Sequence, residues 1–294
     1  MNLRLRITCP PDDALKILAQ DEVIARAFDL KSLVFEIDSE DELFYRILLL
    51  TKNTTGISFN PIMLFSKSEV DQTRYFQLEC RKVVNEFGPD YEINSSRMKK
   101  MKFISTIGHC KIKLLDQVAL SKINLKPNMV AGVDQWTMEF IITAAVAKKF
   151  EDDKLLGLNL KPVFNPKTGK HHSGFFQLYT DHVLQPIVRD ATILDHKEEI
   201  PEEGGLRELG CLTYNFHESF SIFDFNRTAE NFGSNYMPLW VVSDRVRRCF
   251  VHNKLRGWAF RPVIEKGSEI HKLYLMKWES LLDRMSINPL NKFW

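Results

Sequence analysis

The chain lacks a marked charge excess, a long apolar run and any closely spaced pair of cysteines. Its 294 residues carry 40 Lys and Arg against 38 Asp and Glu, a net charge of +2, which is too small to indicate a nucleic-acid partner by itself. The longest apolar run, around 140–147, is far shorter than the ~20 residues that cross a bilayer, so no membrane partner is expected. The five cysteines form no C-x-x-C, which disfavours a disulfide framework and a zinc ribbon.

The first residues lack the continuous apolar stretch of a secretory signal. Met1–Arg6 alternates apolar residues with arginine, a pattern that predicts a first β-strand instead. We therefore expect a soluble protein of the cytoplasm. The composition, 44% hydrophobic and 27% charged, is ordinary for a globular protein, and the length allows one large domain or two medium ones.

Local signatures of catalysis and cofactor binding are also missing. The sequence has no G-x-G-x-x-G, P-loop or G-x-S-x-G motif, so we expect no cofactor, no catalytic residue and no enzyme activity. His171 and His172 are adjacent on a turn, where their side chains point apart and make a poor metal site. Asp181 could orient His182 as a general base, but the sequence ties no nucleophile to this pair. An unrecognised active site near these three histidines stays open as an alternative.

What the sequence does contain is an internal repeat. Three segments share the order glycine, apolar, small or polar, apolar, polar, proline, apolar. They are GISFNPIM at 56–63, GLNLKPVF at 157–164 and GWAFRPVI at 257–264. Their glycines are 101 and 100 residues apart. Three copies with the same glycine–proline spacing favour duplication of one structural unit.

A β-hairpin is predicted at each copy of the repeat. Beyond a polar stretch, each segment is followed by apolar residues that alternate or cluster as in a second strand. These second strands are YFQL at 75–78, FFQL at 175–178 and KLYL at 272–275. The shared proline suits an edge strand or a bulge, because it cannot donate a hydrogen bond to the ladder.

Helical spacing of apolar residues precedes each glycine. The first helix is predicted over 41–51, and the third begins after a cap at Ser243. The second is expected to begin at Asp134 or Thr137 and to include Phe140. Each helix is expected to end near its glycine, in a left-handed C-terminal conformation.

The pattern predicts an α+β fold of repeated strand–helix–β-hairpin units, mainly antiparallel sheet with helices packed on it. We expect an N-terminal α+β unit at 1–95. A C-terminal α+β domain at 96–294 would hold two further units, since turn residues and a basic run occupy 85–102. The oligomeric state is left open.

The third unit carries a resemblance to a known family. PLWVVSDRV at 238–246 runs on to LRGWAFRPV at 255–263, and the two together resemble the C-terminal pattern of immunity proteins from bacterial polymorphic toxin systems. These are related to proteins named for a double CxxCG motif. The second half of the chain resembles the pattern well and the first half weakly. The cysteine pairs are absent, because Cys9 and Cys211 stand alone, so no zinc site carries over.

The resemblance implies an immunity protein that binds and neutralises a cognate protein toxin by direct contact. Such a protein acts through shape and charge complementarity, so its interface is expected on exposed loops. The candidate partner-binding residues lie in the second hairpin turn and in an acidic loop: Lys170, His171, His172, Glu199, Glu202 and Glu203. A hydrolase or transferase with an unrecognised site is one alternative, and an adaptor in a toxin-delivery system is another.

Overall fold

The structure is a computed structural model that describes residues 1–9, 14–28, 34–52, 54, 57–84, 98–101, 111–114, 117–133, 139–194, 206, 210–216, 221–232, 237–286 and 292–293. The helices of this part are α1 Ala14–Ala19, α2 Glu22–Ala27, α3 Glu42–Leu50, α4 Lys67–Gln72, α5 Ala144–Asp152, α6 Asp244–His252 and α7 Glu269–Met285. The strands are β1 Asn2–Thr8, β2 Val34–Asp38, β3 Ser58–Leu64, β4 Tyr75–Cys80, β5 Met98–Met101, β6 Lys111–Leu114, β7 Val130–Gly132, β8 Phe140–Thr143, β9 Asn159–Asn165, β10 Lys170–Tyr179, β11 Thr213–Tyr214, β12 Phe225–Phe232, β13 Met237–Ser243, β14 Trp258–Pro262, β15 Ile264–Glu265 and β16 Lys292–Phe293.

The predicted α+β class is confirmed. Three four-stranded sheets have the orders β16-β3-β1-β2, β7-β8-β10-β9 and β12-β13-β4-β14. Their ladders are antiparallel except for the short parallel pair β16–β3. Helices α3, α5, α6 and α7 bury apolar side chains in the same clusters as strand residues.

Each large sheet repeats one arrangement of three strands. A central strand lies between a strand that leads into a helix and the strand that follows that helix: β2-β1-β3 around α3, β8-β10-β9 around α5 and β13-β4-β14 around α6. The shared proline takes the same register beside the central strand each time, with Pro61 opposite Leu5 and Pro162 opposite Phe176. Pro262 is likewise opposite Phe76. The three segments found in the sequence are therefore equivalent in register as well as in pattern.

The central strand of the third sheet is formed by a different segment of the chain from the one predicted. Residues 272–275, expected as the second strand of the third hairpin, lie inside α7. Their apolar residues continue at helical spacing, and Tyr274, Trp278 and Leu281 are buried against the first sheet. The vacant central position is filled by β4, whose YFQL matches the FFQL of β10. The YFQL strand thus pairs with β13 and β14 and not with β3.

The second helix begins later than predicted. Phe140 belongs to β8, and the helix starts after Thr143, whose hydroxyl accepts a hydrogen bond from the N–H of Val146 at 3.3 Å. Asp134 and Thr137 lie outside the described residues. Trp240 is the counterpart of Phe140 one repeat later, and the two rings contact each other with centroids 6.1 Å apart. The second and third units therefore share one core.

The helix ends also repeat. Lys154 and Lys254 follow α5 and α6 with φ of 51° and 52°, so lysine takes the left-handed position that was predicted for glycine. Gly257, with φ of 112°, lies at the entrance of β14. A Cβ there would lie 1.7 Å from the carbonyl oxygen of Val130. Glycine is needed at this position because two backbone segments approach closely.

Candidate binding surface

Three chain segments meet beside the start of β14: the residues after β4, those before β7 and those after α6. The N–H of Arg81 donates to the carbonyl of Gly257 at 2.9 Å, and the N–H of Val130 donates to the carbonyl of Arg256 at 2.8 Å. The N–H of Arg256 in turn donates to the carbonyl of Asn128 at 3.0 Å. These bonds fix the three segments against one another and so fix the surface that they form.

This surface carries positive charge without compensation. We call its exposed cations the basic face: Arg81, Lys82, Lys126, Lys254 and Arg256. The segments 80–84, 122–131 and 251–259 contain no Asp or Glu, and within the described residues none of the five cations forms an ion pair. Cations held together by the backbone create a local positive potential that favours the approach of negative charge.

The carboxylate nearest in the chain is already neutralised. Glu79 of β4 forms an ion pair with Arg261 of β14. At the matching positions of the second unit, the ammonium of Lys161 lies over the ring of Tyr179, 3.7 Å from its centroid. In both units the cation at this strand position, Arg261 or Lys161, therefore has a partner on the neighbouring strand. Because Glu79 pairs with Arg261, it does not neutralise the basic face.

A groove of about 490 Å³ runs between β3 and β14 and borders the basic face at Arg81. Residues 61–65 of one wall and residues 259–262 of the other line it, together with Val70 and Cys211. Most of the residues that line it are apolar, and Met63 and Phe260 are only half-buried. The groove therefore offers apolar side chains to an occupant together with polar backbone groups and the charged side chains of Glu79, Arg81 and Arg261.

The edges of two sheets line this groove. Val263 donates to the carbonyl of Tyr75 at 2.9 Å and Arg81 donates to that of Gly257, so odd-numbered residues of β14 bond to β4. The N–H and C=O of Phe260 consequently point away from β4. In the first sheet, the N–H of Ser39 donates to the carbonyl of Leu3, so the backbone of Leu3 bonds towards β2 and not towards β3. Met63 is opposite Leu3 in the register, and its backbone N–H and C=O therefore point away from β1. Among the described residues, neither Met63 nor Phe260 has a backbone partner on that outer side.

The predicted hairpin tip is present and exposed. Gly169, with φ of 68°, closes the turn by donating to the carbonyl of Asn165 at 2.9 Å. Lys170 and His171 are exposed, whereas His172 is half-buried with its Nε2 2.6 Å from the carbonyl oxygen of Leu120. These three residues belong to the second sheet, while the groove lies between the first and third sheets.

The other predicted contacts fall beyond the described part of the chain. Glu199, Glu202 and Glu203 of the acidic loop lie outside the described residues. Their role in binding a basic partner stays a prediction. The basic face, which favours an acidic partner, was missed because its five cations come from three distant segments, each of which looks like ordinary surface.

The three histidines of the alternative active site are not brought together. His171 and His172 begin β10, whereas His182 follows its far end, roughly 30 Å away at the usual rise per strand residue. The His182 ring stacks on Phe223 with centroids 3.3 Å apart. None of the three lines the groove or the second cavity, of about 400 Å³, beside α6. The described residues contain no cluster of three or more potential metal ligands.

A buried polar cluster lies deeper in the fold. Arg227 donates to Glu139 at 2.9 Å, and Gln177 donates to the other oxygen of Glu139 at 3.1 Å. The guanidinium of Arg227 also lies 3.9 Å from the ring centroid of Trp240. Burial raises the pKa of Glu139, although the neighbouring Arg227 opposes this shift. The cluster joins the second sheet to the third, and its depth assigns it to structure and not to surface recognition.

No family model matches the chain, and no curated protein matches it. No helix in the described part is long and apolar enough to span a membrane. The function is therefore argued from the residues of this chain and their geometry.

Proposed function

We propose that the protein is an immunity protein that binds and neutralises a cognate bacterial toxin by direct protein–protein contact in the cytoplasm of the producing cell. The observation that carries the proposal is the basic face, whose five cations have no ion-pair partner among the described residues. A charged surface without internal compensation is what a partner of opposite charge recognises. The resemblance at 238–263 supports the same function, and Arg256 of the basic face lies inside that segment.

An acidic protein surface suits the basic face better than a nucleic acid does. Binding of single strands usually combines cations with exposed aromatic rings on which bases stack. The segments that build the face contain no Phe or Tyr, and their tryptophan, Trp258, is buried. The cations also lie on short connections and not along a groove-filling helix, which is the usual element for reading duplex DNA.

Neutralisation in this proposal follows from occupancy. The positive potential of the basic face steers an acidic toxin surface into an encounter, which raises the association rate. The apolar groove next to Arg81 then supplies contact area that slows dissociation. The bound immunity protein covers the toxin, so no catalytic turnover by the immunity protein is needed.

The first experiment identifies the partner and tests protection. The tagged protein is recovered from its native cell, and any stoichiometric partner is expressed alone and together with it. We expect a partner that is lethal alone and harmless with the wild-type protein. The double variant Arg81→Glu/Arg256→Glu should protect poorly, whereas Lys16→Glu/Lys52→Glu, which reverses two exposed cations elsewhere, should protect fully.

Other results would contradict the proposal. Recovery of a component of a toxin-delivery machinery that is harmless by itself would favour an adaptor. A failure to recover any partner would return attention to an enzyme. Equal protection by the two double variants would show that the basic face does not contact the toxin.

A further inference from the structure

We infer that the groove between β3 and β14 receives an extended toxin segment of alternating apolar and acidic residues, which adds a strand to the outer edge of β14. The identity of the partner as a toxin rests on the proposed function. The chemistry of the segment rests on the groove itself, so the two can fail separately.

The backbone of β14 provides the first argument. Its outer edge is already paired on both sides of the groove: Ile264 donates to the carbonyl of Leu212 at 2.9 Å, and Arg256 accepts from Val130 at 2.8 Å. Between these points the outward N–H and C=O of Phe260 have no backbone partner among the described residues. The gap spans the five residues of β14. An extended segment of this length would continue the pairing that this chain itself begins at each end.

The lining of the groove provides the second argument. Side chains of an extended segment alternate between two faces. Those on one face would meet the apolar side chains of Met63 and Phe65, which point to the same side of the chain and pack against the core of the first sheet. Val70 also lines the groove. A segment with an apolar residue at every second position therefore fits the groove, because each such side chain exchanges water for an apolar contact.

Charge provides the third argument and identifies the occupant. Arg81 lines the groove and begins the basic face, whereas Arg261 on the opposite wall already pairs with Glu79. The intervening residues of the segment are thus expected to be Asp or Glu. A second copy of this chain is disfavoured as the occupant, because its own edge strand β14, WAFRP, contains no Asp or Glu that could meet Arg81.

A designed peptide tests this inference without knowledge of the toxin. The probe is a fluorescein-labelled octapeptide that alternates Val and Glu, and the comparison peptide alternates Val and Lys. In fluorescence anisotropy with the full-length protein, we expect saturable binding of the Glu peptide at least about tenfold tighter than that of the Lys peptide. Two further forms of the Glu peptide are N-methylated, one at the odd-numbered and one at the even-numbered backbone nitrogens. At least one of them should bind about tenfold more weakly, because strand addition requires the N–H donors of one set.

A variant of the protein blocks the groove. Ala259 lines it, while its backbone faces β4, so Ala259→Tyr fills the space without removing a ladder bond and places a residue that strands favour. Asn159→Tyr is the matched control, because Asn159 occupies the same position of β9 one repeat earlier and is exposed. We expect Ala259→Tyr to abolish peptide binding and Asn159→Tyr to preserve it.

The outcomes separate this inference from the proposed function. Equal binding of the Glu peptide and both N-methylated forms overturns strand addition, and this comparison needs only the wild-type protein. Absence of Glu-peptide binding together with full protection by Ala259→Tyr overturns the groove but leaves the immunity function standing. Binding that Ala259→Tyr abolishes, with a wild-type protein that protects against no toxin, supports the groove and overturns the immunity function.

Discussion

At the scale of residues, positions 100 apart reveal which side chains the fold requires. Gln77 and Gln177 occupy the same central-strand position, and both are buried. Lys154 and Lys254 share a left-handed conformation after their helices. For the two lysines the requirement comes from the local backbone, whereas the side chain of Gln177 is held by the N–H of Val118 and by Glu139.

The close approach at Gly257 makes a direct prediction. Gly257→Ala would place a Cβ 1.7 Å from the carbonyl oxygen of Val130, so the free energy of unfolding should fall by about 3 kcal/mol or more. Gly267→Ala is the control, because it also has positive φ but nothing lies within 4 Å of its Cβ. Its cost should be about 1 kcal/mol. Urea unfolding measures both, and equal losses would contradict the account of Gly257.

The buried pair Glu139–Arg227 makes a second prediction. Glu139→Gln leaves the Arg227 charge buried without its counter-charge, so unfolding should become easier by about 3–5 kcal/mol. Lys148→Ala, which breaks the exposed pair with Asp152, should cost less than about 0.5 kcal/mol. The measurement is the urea midpoint at constant slope. A Glu139→Gln loss no larger than that of Lys148→Ala would show that the pair is unimportant.

Residues of this kind are hard to find in a sequence. Glu139 and Arg227 are 88 positions apart, and each looks like an ordinary surface charge in its own segment. The same holds for Arg81 and Arg256, which backbone pairing brings together. Hydrophobic periodicity locates elements but carries no information about which distant charges meet.

At the scale of elements, the sequence predicted the repeat but assigned one strand wrongly. KLYL at 272–275 alternates like a strand, yet Tyr274, Trp278 and Leu281 bury one face of a helix. A stretch of four residues fits both the two-residue period of a strand and the 3.6-residue period of a helix. Only a longer stretch of sequence distinguishes the two. The late start of α5 has the same origin, because the apolar residues of β8 fit a helix until the cap at Thr143 is recognised.

The N-terminus of α7 predicts a dependence on pH. Burial lowers the pKa of His271, and Lys266 adds to the shift, while its Nδ1 accepts a hydrogen bond from Gly267 at 3.1 Å. The folded state therefore favours neutral imidazole and the unfolded chain takes up the proton first. Stability is kept above the unfolded pKa, near 6.5, and is lost as the pH falls below it.

Thermal unfolding between pH 7 and pH 5 checks this dependence. The melting temperature of the wild type should fall more steeply with pH than that of His271→Asn, which cannot titrate. His252→Asn, at an exposed position of α6, should behave like the wild type. Parallel curves for the wild type and His271→Asn would contradict the argument.

At the scale of the whole molecule, the two ends of the chain are interleaved. β4 lies at the centre of the third sheet, while α7 and β16 near the C-terminus pack on or pair with the first sheet. The boundary predicted between 95 and 96 falls outside the described residues and stays a prediction. Because β4 precedes this boundary and α7 follows it, the residues on each side contribute an element to the core of the other side.

Separate fragments test this interdependence. We expect 1–95 and 96–294 each to lack a cooperative thermal transition, because the first loses α7 and the second loses β4. Mixing the two fragments should restore a single transition. Cooperative unfolding of 1–95 alone, measured by circular dichroism, would contradict interleaving as the basis of stability.

The central claim is that the basic face meets an acidic toxin, and the association rate of the purified pair tests it most directly. Stopped-flow mixing at low salt should show Arg81→Glu/Arg256→Glu associating at least about tenfold more slowly than the wild type, with the difference shrinking as salt rises. Lys16→Glu/Lys52→Glu should associate like the wild type. An unchanged rate for Arg81→Glu/Arg256→Glu at low salt would place the toxin on another surface and contradict the account.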